Sequence, residues 1–348
     1  MTPVSNRSRP KPSRQKTAGE RELIAAIRRR ATQLQVGFGD QRTPKSLTLG
    51  IGDDCAVLRP RRGQDLVVTT DLSIENVHFR RDWHPPQSVG HRCLARGLSD
   101  LAAMGAMPEA AFLSLALPAE LTGGWMEGFL DGWMTLAERH RVLLAGGDLA
   151  NSPRSGHKSG GLVIADIVLL GSVPRGKALL RSGARAGDVL YVTGALGGSA
   201  AELGALERRP GSFRRADKEG HPHLYPEPRL ETGRKLLKGS LATAAIDLSD
   251  GLSTDLTHLC EESGLAAEID AQALPVDARA TLKQALHGGE DYELLFTARA
   301  KTVLPHQLAG VMLHAIGRMK KRGKGPQVVM VSGASRTPLT PAGWEHFR

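Results

Sequence analysis

Apolar residues recur along this chain with two alternating periods. Leu23, Ile24, Ile27, Ala31 and Leu34 repeat at helical spacing and predict a helix over 19–35. Two β-like runs follow, 46–54 and 66–71, and each ends in acid. Val89, Cys93, Leu94, Leu98, Leu101 and Ala102 share one side of a helix over 88–106, with Gly105 as its stop. Strands are expected at 112–117, 142–145 and 162–170. A helix is expected at 125–139, where Trp125, Phe129, Trp133 and Leu136 read as core rather than as a binding surface. Beyond Val173-Pro174-Arg175-Gly176 the alternation restarts. Strands are predicted at 188–193, 244–248, 292–297 and 327–331, and helices from Ser199, over 229–237 and over 253–263. A Pro- and Arg-rich connection spans 207–228, and a basic hairpin or loop spans 318–325. Strands and helices mix in both halves. The chain therefore reads as two α/β or α+β domains, 19–174 and 175–348, behind a disordered tail at 1–18.

Charge changes this picture little. The formal net charge of +10 comes from 46 Lys+Arg against 36 Asp+Glu in 348 residues. The surplus is local: residues 1–18 and 317–327 each hold five basic residues and no acid, and the rest is neutral. That argues against a broad nucleic-acid-binding face. Only 4% of residues are aromatic, too few for a base-stacking platform, whereas 40 glycines suit backbone-lined turns. The sequence contains neither an apolar run of membrane-spanning length nor a secretory h-region. Cys55, Cys93 and Cys260 are odd in number and far apart, which fits a reducing cytoplasm better than a disulfide framework.

The candidate chemistry lies in a recurring pattern, an apolar run followed by small residues and Asp. It occurs at Gly52-Asp53-Asp54, Thr69-Thr70-Asp71, Gly146-Gly147-Asp148 and Asp247-Leu248-Ser249-Asp250-Gly251, while Asp100 falls on a helix. Taken singly, each is as well read as a turn or helix cap. Converging, the carboxylates would repel one another unless hard cations such as Mg²⁺ lay between them, with Thr69, Thr70 and Ser249 adding hydroxyls. Glycines beside the acids would let backbone N–H groups approach a phosphate. Other patterns are weaker. Gly171–Ala178 nearly spells a phosphate-binding loop, but Ala178 lacks the hydroxyl and Pro174 lacks an N–H. His221-Pro-His223 has no third ligand nearby and reads as a loop.

At these acidic segments the chain resembles the thiamine-monophosphate kinase family, within the aminoimidazole ribonucleotide synthetase superfamily. The matching stretches are Gly50–Leu58, Thr69–Asp71 with Val77-His78-Phe79, Leu98–Ala106, Gly146–Asp148, Arg181–Ala184, Gly187-Asp188 with Tyr191–Gly194, Ile246–Leu252, Gly288–Thr297 and Gly343–Phe347. They occur in family order across 50–347. The resemblance implies an α/β domain followed by an α+β domain, with the N-terminal sheet forming a barrel in a homodimer. It implies transfer of the γ-phosphoryl group of ATP to thiamine monophosphate. By carry-over, Asp54, Thr69, Thr70, Asp71, Asp100, Asp148, Asp247 and Asp250 would hold several Mg²⁺ ions. Gly147, Asp148, Arg181 and Ser249 would contact the nucleotide, and His78, Glu290 and Trp344 the thiamine phosphate. The chain departs from the family pattern at Leu149–Ser152 and the polar stretch 153–161, at Asn76 where Gly is usual, and in the 207–228 connection.

Two alternatives accompany this reading. Another ATP-dependent enzyme of the superfamily would share the fold, although Thr69–Phe79 argues against aminoimidazole ribonucleotide synthetase itself. A nucleic-acid-binding protein would act through the two basic segments.

Overall fold

The computed structural model describes residues 19–38, 46–152, 161–210 and 220–347. The basic tail at 1–18 and most of the polar stretch at 153–161 lie outside the described residues. Helix α1 (Glu20–Phe38) precedes an antiparallel pair of short strands, β1 (Leu47–Leu49) and β2 (Val57–Leu58). Then come β3 (Gln64–Ile74), α2 (Pro86–Ala103), β4 (Met107–Leu117), α3 (Gly124–His140), β5 (Leu143–Asn151) and β6 (Ile164–Pro174). The four long strands form one sheet in the order β3-β6-β4-β5, antiparallel except for the parallel β4–β5 pair.

A second, mixed sheet is built from the later half. Its elements in chain order are β7 (Val189–Thr193), α4 (Gly198–Arg208), α5 (Leu230–Lys238), β8 (Ala244–Asp247), α6 (Leu252–Glu262) and β9 (Leu265–Asp270). These are followed by α7 (Leu282–His287), β10 (Leu294–Ala298), β11 (Gln307–Leu308), β12 (Val311–Lys321), β13 (Val328–Ser332) and β14 (Ser335–Pro338). The strand order is β14-β13-β9-β12-β7-β10-β8, with β11 paired to β12. Only β9–β13 is parallel.

Helix α2 joins the two halves. It packs against β3, β6 and α3 on one side and against α5 and β8 on the other. Period-two alternation lets the second sheet serve two cores. Ala245, Leu294 and Phe296 face the core around α2, whereas Ile246 and Leu295 face a second core with Leu256 and Leu259 of α6. Burial of α2 on nearly all sides requires neighbours with no side chain. A Cβ on Gly90 would meet the Phe129 carbonyl oxygen at 1.9 Å, one on Gly132 the Gln87 oxygen at 1.8 Å, and one on Gly233 the Ala102 oxygen at 1.9 Å.

Several elements differ from their sequence reading. Thr69-Thr70-Asp71 lies inside an eleven-residue strand rather than at its end, because Leu72, Ser73 and Ile74 continue the pairing with β6. Gly146-Gly147-Asp148 likewise stays in β5, after a register shift opposite Ala111/Phe112. A Cβ on Gly147, whose φ is +154°, would strike the Leu113 carbonyl, so the glycine reflects strand packing rather than a turn. The basic segment at 318–325 begins as the end of β12, where Lys320 and Arg336 flank Glu268 at 3.8 and 2.5 Å. Strands β9 and β12 and helix α7 lack a strong enough period to stand out. Among the described residues no helix is long and apolar enough to cross a membrane, and the three cysteines are free.

The glycine contacts around α2 can be tested directly. Gly90→Ala should cost about 3 kcal/mol, through overpacking against backbone that cannot yield. Urea unfolding of the variant beside wild type measures it; a shift within error of zero would show that α2 and α3 can separate freely.

Candidate functional site

A cleft of about 560 Å³ opens where α2 meets both sheets. Its floor is acidic. Asp71 comes from β3, Asp100 from α2 and Asp247 from the end of β8, and all three line the cleft together with Ser249 and Asp250. The Thr69 hydroxyl donates to Asp100 Oδ2, the Ser99 hydroxyl donates to Asp247 Oδ2 at 2.7 Å, and Arg96 lies 3.4 Å from Asp71. Burial pushes the Asp71 carboxyl up to about 6, opposed by Arg96 and reinforced by Asp100 and Asp166. Burial and then the charge on Asp100 push Asp247 up to about 7. Asp100 is raised too, by burial, against the Thr69 hydrogen bond and the charges of Arg181 and Arg96. These shifts mark three carboxylates for which the surrounding side chains supply too little positive charge.

The opposite wall is built from the loop at 288–293 and the segment at 76–84. Glu290 and Tyr292 adopt left-handed backbone at φ 64° and 50°. Their N–H groups donate to the carbonyls of Ser249 and Leu248 at 2.7 and 2.9 Å, which holds this strained turn against the β8 loop. Arg92 donates to Glu290 at 2.6 Å and keeps that carboxylate ionised, well below the usual range, although burial opposes it. His78 accepts from the Ile74 N–H at Nδ1 at 3.0 Å, so the neutral ring carries its proton on Nε2. Burial, then the Arg96 charge, lowers its pKa to about 4. Asn76 stands at φ 67°, a left-handed position that Asn tolerates better than most residues that could replace Gly. Trp344 is half exposed at the rim, with its backbone N–H donating to the Asp250 carbonyl and its ring edge-on to His346.

Of the residues singled out from sequence, Asp71, Asp100, Asp247, Asp250, Ser249, His78, Glu290 and Trp344 line this one cleft. Thr69 reaches it through Asp100, and Arg181 stands close enough for its charge to act on Asp100, Asp247 and Asp250. Asp250 also sits with Asp255 and His258, all within 4.8 Å of one another. Four others are elsewhere. Asp54, Gly147 and Asp148 line a separate cavity of about 1000 Å³ bounded by α1, the 50–56 loop and the other face of the four-stranded sheet. Thr70 points to that other face too, because alternation along β3 sends it away from Thr69 and Asp71.

Several residues at the site escaped the sequence reading. Arg92 and Arg96 lie on α2 eight and four positions before Asp100, a charged stripe beside an apolar one that the helical period could have exposed. Asp166, which the β3–β6 register pairs with Leu72 on the sheet's other face, still acts on Asp71 through its charge. His84 and His223, buried and 3.0 Å apart, join the two halves behind Glu290; nothing in sequence links them.

The raised carboxyls have a thermodynamic consequence. Their folded-state pKa values exceed the unfolded ones, so the stability they lend is full below about pH 4 and is lost as pH rises through 6 and 7. Metal-free protein should therefore melt at lower temperature at pH 8 than at pH 5, and Asp247→Asn should reduce that difference. Thermal melts in a chelator at both pH values check this; an unchanged difference in the variant would remove Asp247 as its source.

The chain matches two family models, AIR synthase related protein N-terminal domain over residues 52–173 and AIR synthase related protein C-terminal domain over residues 185–325. It is 40% identical over 280 residues to the thiamine-monophosphate kinase of Salmonella typhimurium, covering 78% of this chain and 80% of that protein. It superposes on the thiamine-monophosphate kinase structure from Stenotrophomonas maltophilia with TM-score 0.71 and 35% identity, over 88% of this chain and 95% of the other. A structure of AaThiL complexed with AMPPCP and TMP gives TM-score 0.71 at 29% identity, over 94% and 97% of the two chains. With these matches spanning both sheets and the cleft between them, the chain belongs to the thiamine-monophosphate kinase family and has its two-domain, AIR synthase-related fold.

Proposed function

We propose that this protein transfers the γ-phosphoryl group of ATP to thiamine monophosphate, giving thiamine diphosphate and ADP. The observation that carries this reading is the cleft itself, with three under-neutralised carboxylates on one side and Glu290, His78 and Trp344 on the other, in a chain of this family. The related AaThiL binds AMPPCP and TMP together.

The acceptor is a phosphate monoester already largely ionised at neutral pH, so no residue need remove a proton from it. One acceptor oxygen forms a bond to the γ-phosphorus while the bond to the bridging oxygen breaks, and the electron pair leaves with ADP. The obstacle is repulsion between two polyanions, and positioning supplies most of the catalysis. Asp71, Asp100 and Asp247, with the Thr69 hydroxyl, form an all-oxygen donor set suited to Mg²⁺, and Asp250 extends it. When bound, the ions would neutralise phosphate charge during the transfer. Glu290 stays a carboxylate and can receive a polar or cationic part of thiamine. His78 offers a neutral Nε2–H, and Trp344 an open ring face for stacking. Arg181 and Ser249 are assigned to the nucleotide, beside the acids.

Asp54, Thr70, Gly147 and Asp148 belong to this scheme through a homodimer. The four-stranded sheet turns Leu66, Val68 and Leu72 outward on the face that also carries Thr70, and Val68 is 58% exposed. We assign this face to a second copy of the chain, forming a barrel of two sheets, with the separate cavity completed near that junction. The N-terminal domain is drawn at 19–174 and the C-terminal domain at 175–348.

The kinase reading is tested by incubating full-length protein with ATP, thiamine monophosphate and Mg²⁺. Thiamine diphosphate should form, and chelation of Mg²⁺ should stop it; no product across a range of Mg²⁺ and K⁺ concentrations refutes the reading. Trp344→Ala should raise KM for thiamine monophosphate by about fivefold, from a lost stacking contact of roughly 1 kcal/mol, with KM for ATP unchanged. For the dimer, Val68→Glu should convert a two-chain species to a single chain in sedimentation equilibrium. Identical masses for the two proteins would exclude this face.

A further inference from the structure

Among the described residues two guanidinium groups line the cleft, those of Arg80 and Arg96. Arg80 is committed at the rim: it donates to Asp82 at 3.1 and 3.0 Å and lies 4.4 Å over the Trp83 ring. Behind the wall, Arg92 is committed as well, to Glu290, the His78 carbonyl and the His223 carbonyl. Among the described residues no lysine lines the cleft. Arg96 is different. Its Nη2 reaches Asp71 only at 3.4 Å, and its Nη1, though buried, has no hydrogen-bond partner among the described residues. It stands one helical turn before Asp100, and its charge acts on Asp71 and Asp250 on one side and on His78 and Glu290 on the other. One sparsely bonded guanidinium thus stands between the acidic floor and the wall assigned to thiamine.

We propose that Arg96 binds the phosphate of the acceptor, donating to two of its non-reacting oxygens. This rests on the kinase reading above and adds the residue that selects a phosphorylated acceptor. A monoester dianion entering the cleft meets Asp71, Asp100 and Asp247 and is repelled; a fixed cation beside them holds it in place before transfer. A planar fork matches two oxygens of one phosphate, which an ammonium cannot do. The Asp71 contact pre-orients that fork, and at 3.4 Å it leaves most of the donors unspent. Arg96 is therefore a specificity residue, separating the phosphate ester from the free alcohol.

The test is equilibrium binding of thiamine and of thiamine monophosphate to the full-length protein without nucleotide, by titration calorimetry. Wild type should bind the monophosphate about tenfold or more tightly than thiamine, as expected for a charge-assisted bidentate contact. Arg96→Gln should bind the two compounds alike, with thiamine affinity close to wild type. Arg96→Lys, which keeps the charge and the ion pair but not the fork, should recover only part of the preference. If wild type prefers the monophosphate and Arg96→Gln keeps that preference, this proposal fails alone and Arg96 serves only Asp71. Should Arg96→Gln not fold, full preference in Arg96→Lys overturns the bidentate contact. A wild-type protein that binds neither compound overturns the kinase reading, and this proposal with it.

Discussion

Burial of helix α2 is the constraint on which the rest of this structure depends. Fourteen of its eighteen residues are buried, among them Arg92 and His91, because the helix is packed by one sheet and α3 on one side and by α5 and the second sheet on the other. A helix enclosed in this way must be approached closely, which Gly90, Gly132 and Gly233 allow. Its polar residues have few directions left. Those that are not core must face the seam between the two sheets, and Arg92, Arg96, Ser99 and Asp100 do so.

Charge is arranged along that seam by sign. Asp71, Asp100 and Asp247 gather where the supply of cations is insufficient, so burial raises all three, and the charge of Asp100 adds to it at Asp71 and Asp247. Glu290, a short distance away, experiences the reverse: Arg92 and Arg96 hold it ionised although burial opposes the charge. Two kinds of carboxylate thus share one cleft, one kind calling for an added cation and the other already satisfied. That division is what a site for two anionic reactants and a cationic organic ring requires. Strain is confined to the same place, in the left-handed Glu290 and Tyr292 that carry the wall.

The four-stranded sheet works on both faces. Residues of one parity on β3, Thr69 and Asp71, serve the cleft, while Leu66, Val68, Thr70 and Leu72 face away from it. Asp148 and Asp54 line the cavity on that second face. A strand that supplied only one face could not hold this mixture of polar and apolar positions on its outer side without cost.

Much of this was legible in the residues alone. Helices α1, α2 and α3 and strands β3, β4, β7, β8 and β10 follow from periodicity, and the ordered acidic motifs pointed to the family without any coordinates. Convergence of Asp71, Asp100 and Asp247 was an expectation that the family resemblance supplied. What sequence could not supply was direction. Thr69 and Thr70 are adjacent and chemically identical, yet the pleat sends them to opposite faces; Asp148 matches its motif yet opens into a different cavity. Arg96 looks like any charged helix position until packing encloses α2, and the His84–His223 contact joins residues 139 apart. Local pattern determines which residues can form a strand, a helix or an acid-bearing turn, because propensity and period act over a few residues. Only the packing of the two sheets on α2 decides which of those residues meet, because that depends on contacts far apart in the chain.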